Sequence, residues 1–503
     1  MTRLARRIAA AICLLVLIFG IFCGCAAAPE QAGEVVAYDL SPRAVVDDEI
    51  TLKVNGKEIP VEHYLSARYA RFALLGKGKI QVSFACEYEN VQVYPLRLGL
   101  NNDVRKDTLT FILQEPQNIM IQFGKSDSVL MLFIDKTVPS LTEEEKTGAM
   151  IAADFGFDLT GKTDDTEKFE QMLLEFKKSD RDILYFGKGI YSAKTYVLDG
   201  LENKTFFFEP GAFLDMFMPS GPEENKPGME IKNCKGLKIL GAGMLDSKGK
   251  EINEMFGPIR NGFNARGVQM GRIENVLIDG LVIKGSRNSS LLCEDGASRD
   301  LTVKNVRIVA PKEITYEWLD GINLTSVKNV RIEDCMVFTN DDCFASGHYF
   351  GSGVEDKIPS ENFYVKNMIG YTTLACGIRL GYQAFYNMLD YTFEQCEFYG
   401  YTTSYLYIEE LLEDNRYDDI VVQDTVIKIE PSQGYFVEFI GNPKIDNIIF
   451  KDVKFYGEKL FKVRQGCTVT FENCYMNDVR IDSGNCQDFF VKFPAETVEI
   501  VCK

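Results

Sequence analysis

The sequence predicts an all-β chain, a small β-sandwich followed by a long right-handed parallel β-helix. Three observations carry this. Segments of one pattern, apolar-x-apolar-polar-polar-apolar-x-apolar, begin at Val276, Leu301, Val330, Phe363, Tyr391, Ile420, Ile448 and Val469, at spacings between about 21 and 33 residues, the period of a solenoid. An amphipathic helix stands ahead of them, suited to plugging the open end of a coiled apolar interior. Short alternating runs precede both and are separated by turn residues.

The N-terminus reads as an export signal. Arg3, Arg6 and Arg7 precede an apolar run from Ile8 to Phe22, too short for a comfortable membrane span. Gly24 before Cys25 has the form of a bacterial lipoprotein signal, with Cys25 the lipidated first residue and Phe22 in place of the usual Leu; an ordinary cleaved signal is the alternative. Residues 1–25 are then the signal with its lipidated cysteine and 26–33 a tether, and the lipid bilayer is a partner only through that anchor.

The chain of 503 residues has a formal charge of −18, which becomes about −21 once the three arginines leave with a signal. That balance argues against nucleic acid or an anionic polymer as partner and favours a neutral ligand. None of the eleven cysteines after Cys25 forms a CxxC pair, so no zinc or thioredoxin-type site is expected. Cys234, Cys335, Cys396 and Cys474 fall in similar segments (IKNC, IEDC, FEQC and FENC) and are expected to stack as small buried side chains in one slot.

Residues 34–140 alternate apolar and polar in runs such as ITLKVNG, VQVYPLRL and VLMLFID, which implies antiparallel strands of an accessory sandwich. Nothing in it looks catalytic, and packing on the next domain is preferred to carbohydrate binding. Residues 141–503 form the catalytic β-helix. Thr163, Asp164 and Asp165 offer N-cap groups, and Phe169, Met172, Leu173 and Phe176 give helical spacing to about Lys178. In the repeats the polar pair at mid-segment marks a corner where the chain turns between sheets. Each coil buries its apolar face only by stacking on its neighbours.

The chemistry lies between Glu317 and His348. Asp320 stands alone, and about one repeat later come Asp341 and Asp342, so one turn of a coil brings three carboxylates to one patch. A lone Asp before Gly is usually a turn cap. A pair stacked over a third is costly unless a metal or a proton is shared. A calcium site would serve a lyase with a basic residue. A hydrolase needs one carboxyl protonated to donate to the leaving oxygen and another ionised to activate water, and clustering supplies that split. An inverting glycosidase sets acid and base roughly 6.5–9.5 Å apart, which adjacent coils can span.

The run DGINLTSVKNVRIEDCMVFTNDDC resembles the catalytic region of the β-helical glycoside hydrolases of families 28 (polygalacturonases) and 49 (dextranases and isopullulanase), and LTGKTDDTEKFEQML resembles their capping helix. The resemblance implies Asp341 as general acid, with Asp320 and Asp342 holding and deprotonating the water. Three departures bear on the substrate. Trp318 and Leu319 precede Asp320 where family 28 has Asn-Thr. Ala375, Cys376 and Gly377 stand in place of its Gly-His-Gly. Tyr407, Ile408 and Glu409, followed by Glu410, replace its Arg-Ile-Lys, which grips a substrate carboxylate. Glu409 would repel a galacturonate. Family 49 is closer, since its members pair a sandwich with the β-helix, use three aspartates without the histidine and act on neutral α-glucans.

Trp318, the one tryptophan, is a sugar-stacking platform or a structural plug. Arg379 contacts sugar hydroxyls, orients Asp342, or forms an inter-coil salt bridge. Tyr382, Tyr407 and Glu409 on succeeding coils, and His348 from its loop, complete the candidate substrate contacts. The expectation is an inverting glycoside hydrolase without cofactor or metal, acting on a neutral α-linked glucan or galactose-type polysaccharide or oligosaccharide. A pectin hydrolase is the alternative, and a metal-dependent lyase or a non-catalytic glycan binder are alternatives of another class.

Overall fold

The computed structural model describes residues 32–503 apart from 89, 101–102, 125–127, 222–225, 258–265, 295–296, 315–317, 348–357, 382–385, 412–414, 430–433, 442, 459–460, 464–466 and 492–497. Cys25 and the apolar run before it, His348 and Tyr382 therefore lie outside the described residues. No helix among the described residues is long and apolar enough to cross a membrane.

From Glu34 to Asp135 the chain forms a seven-stranded and a five-stranded sheet. Leu52, Val82, Phe72, Leu109 and Leu132 are buried between them. Most pairings are antiparallel, as expected from the short runs. The exception is the longest, in which Ala67–Leu75 runs parallel to Val129–Asp135. That pairing joins the second half of the domain back to the first, which no short-range turn signal encodes.

The rest is a right-handed parallel β-helix. Its first sheet has thirteen strands, from Met150–Ile151 to Glu499–Cys502, every one parallel to its neighbours. A second sheet has eight strands, from Gly189–Ala193 to Glu397–Tyr399. The third has nine, from Tyr196–Asp199 to Tyr435–Ile440. Each repeat segment read from the sequence straddles the corner at which the chain leaves the first sheet for its next strand. The second residue of its polar pair takes the left-handed conformation: Gly280, Asn305, Asp334, Asn367, Gln395, Asp424, Asp452 and Asn473 all have positive φ. Gly, Asn and Asp tolerate that region best. Where Asn follows Asp on successive coils their side chains bond along the stack, as from Asn305 Nδ2 to Asp279 Oδ1 at 2.7 Å.

Cys335, Cys396 and Cys474 come just after these corners, buried, each thiol donating to a backbone carbonyl of the preceding coil. Cys234 departs from the expectation of one shared slot. It comes after the strand Met229–Lys232 of the third sheet and lies at the corner into the first sheet, its thiol donating to Leu198 O. The same local motif, a polar residue, an αL Asn, Asp or Gln and a small buried cysteine, serves both corners. All the described cysteines are free.

The capping helix spans Thr166–Lys178 and buries Phe169, Met172 and Phe176. Phe169 meets Tyr196 edge-on, and Phe176 does the same with Phe206, so the helix closes the first coils. Asp165 occupies the N-cap position, but its carboxylate serves Asp158 N and Lys168 instead of the helix, while Asp164 accepts from Thr166 N. Two short helices, Glu143–Gly148 and Gly249–Phe256, are additions to the sequence reading. The first carried its signal, a capping box between Thr142 and Glu145.

The sandwich lies against the outer face of the second sheet. Arg43 pairs with Asp215 at 2.6 Å, Asp135 with the buried Arg307 at 2.6 Å, and Leu96 N donates to Glu397 at 2.7 Å. Tyr64, Tyr69, Met120 and Phe133 merge with the core of the β-helix. The sandwich therefore covers the second sheet and leaves the outer face of the third sheet free of it along these contacts.

Candidate active site

The third sheet carries the three aspartates just before two of its strands. Asp320 precedes Ile322–Leu324, and Asp341 and Asp342 precede Phe344–Ser346. Ile322 pairs with Phe344, and Phe344 with Ile378, so Asp320, Asp342 and Cys376 occupy one register column and Asp341 sits one step before it. The spacing of one turn thus brings the triad together as the sequence implied. One oxygen of each carboxylate lies within 4.8 Å of the others.

Close stacking is enforced by Gly321. A Cβ there would come within 2.4 Å of Val337 Cγ1 and 2.6 Å of the Cys343 carbonyl, so only glycine lets the coil of Asp320 settle on the coil of Asp342. Its N–H donates to Asp342 O at 2.8 Å.

Each carboxylate has its own surroundings. Asp320 is buried and its Oδ2 accepts from Ser289 Oγ at 3.1 Å and Asn323 Nδ2 at 2.7 Å. Asp342 is buried too: Oδ1 accepts Cys376 N–H at 2.9 Å, and Oδ2 faces Arg379 Nη1 at 3.4 Å. Asp341 is the most open of the three, its Oδ2 accepting the backbone N–H of Trp318 at 2.8 Å. Burial and the Asp342 charge push Asp320 up to about 6. Burial and Asp320 push Asp341 up to about 7. Burial and Asp341 also push Asp342 up to about 7, against the pull of Arg379.

These shifts mean that the cluster holds a proton near neutrality. Asp342 is the carboxylate with a guanidinium on it, whereas Asp341 has no ion-pair partner among the described residues. Asp341 and Asp342 are both raised to about 7, so the proton belongs to the cluster as a whole. The triad is the one group of three or more ligand-type side chains among the described residues spaced to hold a cation. Arg379 and the Cys376 N–H already point positive charge at Asp342, which opposes a second cation there.

Around this centre Trp318 stands at the lip, 49 % exposed, with φ +64°. A bulky residue in that region is a genuine outlier, and the bond from its N–H to Asp341 is what the turn secures. Arg379 forms an inter-coil bridge with two carboxylates, Asp342 and Glu409, the latter at 2.6 Å, and lies over the Tyr407 ring at 5.5 Å. Glu409 is thus neutralised by Arg379 and is not a bare charge facing the groove. Two residues escaped the sequence reading, Ser289 and Asn323, both bonded to Asp320. Asn323, in the segment GINL, occupies an outward position in the strand after its carboxylate, a signal visible only once the register is known.

Fold and site define a parallel β-helix with a triad of aspartates on one sheet, two buried and one partly open. The profile of "Glycosyl hydrolases family 28" matches residues 215–365, the stretch containing all three. Among solved structures the chain is similar to the hyperthermoactive exopolygalacturonase of Thermotoga maritima (16 % identity, TM-score 0.51, covering 69 % of this chain and 94 % of that one). It is similar also to the family 28 exopolygalacturonase of Yersinia enterocolitica (12 %, 0.52, 94 % and 97 %). Dex49A from Penicillium minioluteum gives 10 % identity and a TM-score of 0.57, over 93 % of this chain and 96 % of that one. No curated protein matches the chain. The family match supports a glycoside hydrolase, and the solved structures show the β-helix fold.

Proposed function

We propose that the chain is an inverting glycoside hydrolase acting on a neutral glycan, of α-linked glucan or galactose type, with Asp341 as general acid and Asp320 and Asp342 holding and deprotonating the water. The observation that carries this is the division of labour within the triad. One carboxyl is open to the groove and lacks a cation, and two buried ones are held by fixed donors. A protonated Asp341 donates its proton to the leaving glycosidic oxygen. Asp342 takes a proton from the water as that water attacks the anomeric carbon, and the C–O bond to the leaving group breaks.

The neutral substrate follows from the charges. Arg379 is bound to Asp342 and Glu409, and Lys462, farther along the sheet, is bound to Glu438. A substrate carboxylate meeting either of these two cations would have to break its pair. Trp318 offers an exposed ring at the lip, suited to stacking on a sugar face. Export, with a lipid on Cys25 holding the enzyme at the cell surface, is proposed from the sequence signals alone.

Inversion supplies the sharpest test. The three nearest oxygens lie closer together than the roughly 6.5–9.5 Å of a typical inverting pair, and nearer the ~5 Å of a retaining one. Asp320 and Asp342 sharing one water account for their own closeness, and the stereochemistry tests the role of Asp341 beside them. Proton magnetic resonance of the first product should show the inverted anomer. A retained anomer would make one of the aspartates a nucleophile and overturn the assignment. On a panel of neutral α-glycans with polygalacturonate, reducing ends should appear on the former; release from polygalacturonate alone would reverse the substrate reading.

A further inference from the structure

Arg379 stands between two carboxylates and is anchored on the one farther from the chemistry: 2.6 Å to Glu409 Oε1 and 3.4 Å to Asp342 Oδ2. Glu409 is in turn held through its backbone. Its carbonyl accepts Tyr417 O–H at 2.6 Å, and a Cβ on the adjacent Gly381 (φ +105°) would strike that same carbonyl at 2.8 Å and the Tyr417 oxygen at 2.4 Å. The chain of support therefore runs from the backbone at Glu409 to its carboxylate, to the guanidinium, and to Asp342.

We infer that Glu409 is a positioning residue that acts on Asp342 through Arg379, and that neither residue is a contact for the sugar. The inference rests on Asp342 being the base of the proposed reaction. A guanidinium left with Asp342 alone would close on it with two parallel hydrogen bonds and occupy both oxygens. With Nη2 given to Glu409, only Nη1 reaches Asp342, so the guanidinium takes one Asp342 oxygen and the Cys376 N–H the other, with the Cys376 thiol also bonded to the carboxylate. Three donors leave a lone pair for a water. The groups facing Asp342 are Asp320 on the preceding coil, Asp341 beside it, and the Cys376 thiol and Arg379 on the next coil. Arg379 is the one cation among them, and Glu409 decides how much of it Asp342 receives.

The test compares Arg379→Gln, Arg379→Lys and Glu409→Gln in the full chain by two readouts. On whichever glycan the wild type cleaves, both Gln variants should lower kcat tenfold or more while KM stays within about threefold. The acid limb of kcat/KM should move in opposite directions: up by about one pH unit in Arg379→Gln, and down in Glu409→Gln as the guanidinium turns wholly to Asp342. Arg379→Lys should keep the limb near its wild-type position. A tenfold rise in KM with unmoved limbs would make the pair a substrate contact and overturn the inference.

The second readout needs no substrate. The thermal stability of Arg379→Gln relative to wild type should worsen as pH rises from 5 to 8, because an ionised Asp342 then loses its counter-charge; a difference independent of pH would overturn the inference. If the wild type cleaves no glycan, the hydrolase reading fails, and this second readout, run also on Glu409→Gln, whose stability relative to wild type should improve over the same pH range, still decides whether Glu409 and Arg379 govern Asp342.

Discussion

Replacing Asp320 by Asn isolates the cost of crowding three carboxyls. Asp320 is buried and its carboxyl is raised from 3.8 to about 6 by burial and by Asp342. A carboxyl raised on folding binds protons more tightly in the folded than in the unfolded chain. Stability from this group is therefore complete below about pH 4 and is lost as pH rises toward 6. A shift of roughly two units corresponds to ~3 kcal/mol. With ~2.1 cal/mol/K per residue over the roughly 415 described residues, that becomes ~3 °C in Tm if the chain unfolds as one unit. Asn keeps an oxygen for Ser289 and Asn323 and turns an N–H toward Asp342, so the geometry survives while the charge goes. Asp341 feels Asp320 as its strongest neighbouring charge, and its relief adds in the same direction. Calorimetry from pH 4 to 8 should show the variant gaining about 3 °C or more on the wild type across that range, while its activity falls. A Tm difference flat with pH would mean that Asp320 is not held near neutrality, and the reasoning about the shared proton would fail.

Other perturbations probe the scaffold and the lip. Gly321→Ala places a methyl within 2.6 Å of the Cys343 carbonyl, which should cost about 1–3 kcal/mol in denaturant unfolding and depress kcat by parting the two catalytic coils. Trp318→Ala should raise KM about 3- to 10-fold, the ~0.5–1.5 kcal/mol of a lost aromatic contact, with kcat little changed, because the backbone N–H on Asp341 stays; an unchanged KM would remove the ring from the substrate site.

Much of the fold and of the triad is legible in the residues alone. The corner pairs, from Asp279 and Gly280 to Glu472 and Asn473, announce the solenoid because a left-handed corner selects Asn, Asp or Gly and the flanking strands select alternation. The same rule brought Asp320 to Asp342. Side-chain partners across coils were not legible, since they depend on register and loop length. Cys234 shares its motif with Cys335 yet turns a different corner. Glu409 read as a charge facing the substrate until Arg379 was found upon it. Asn323 was invisible for the same reason: its partner is set by the height of one coil over another. The parallel pairing of Ala67–Leu75 with Val129–Asp135 is a contact between segments some sixty residues apart, beyond any local pattern.

The central claim is that Asp341 carries the proton that leaves with the sugar. Asp341→Asn keeps an oxygen for the Trp318 N–H and removes the acid, so the fold should be unchanged by circular dichroism while release of reducing ends from neutral α-linked glycans falls by about 10²- to 10⁴-fold. Undiminished release by a folded Asp341→Asn protein would contradict that claim.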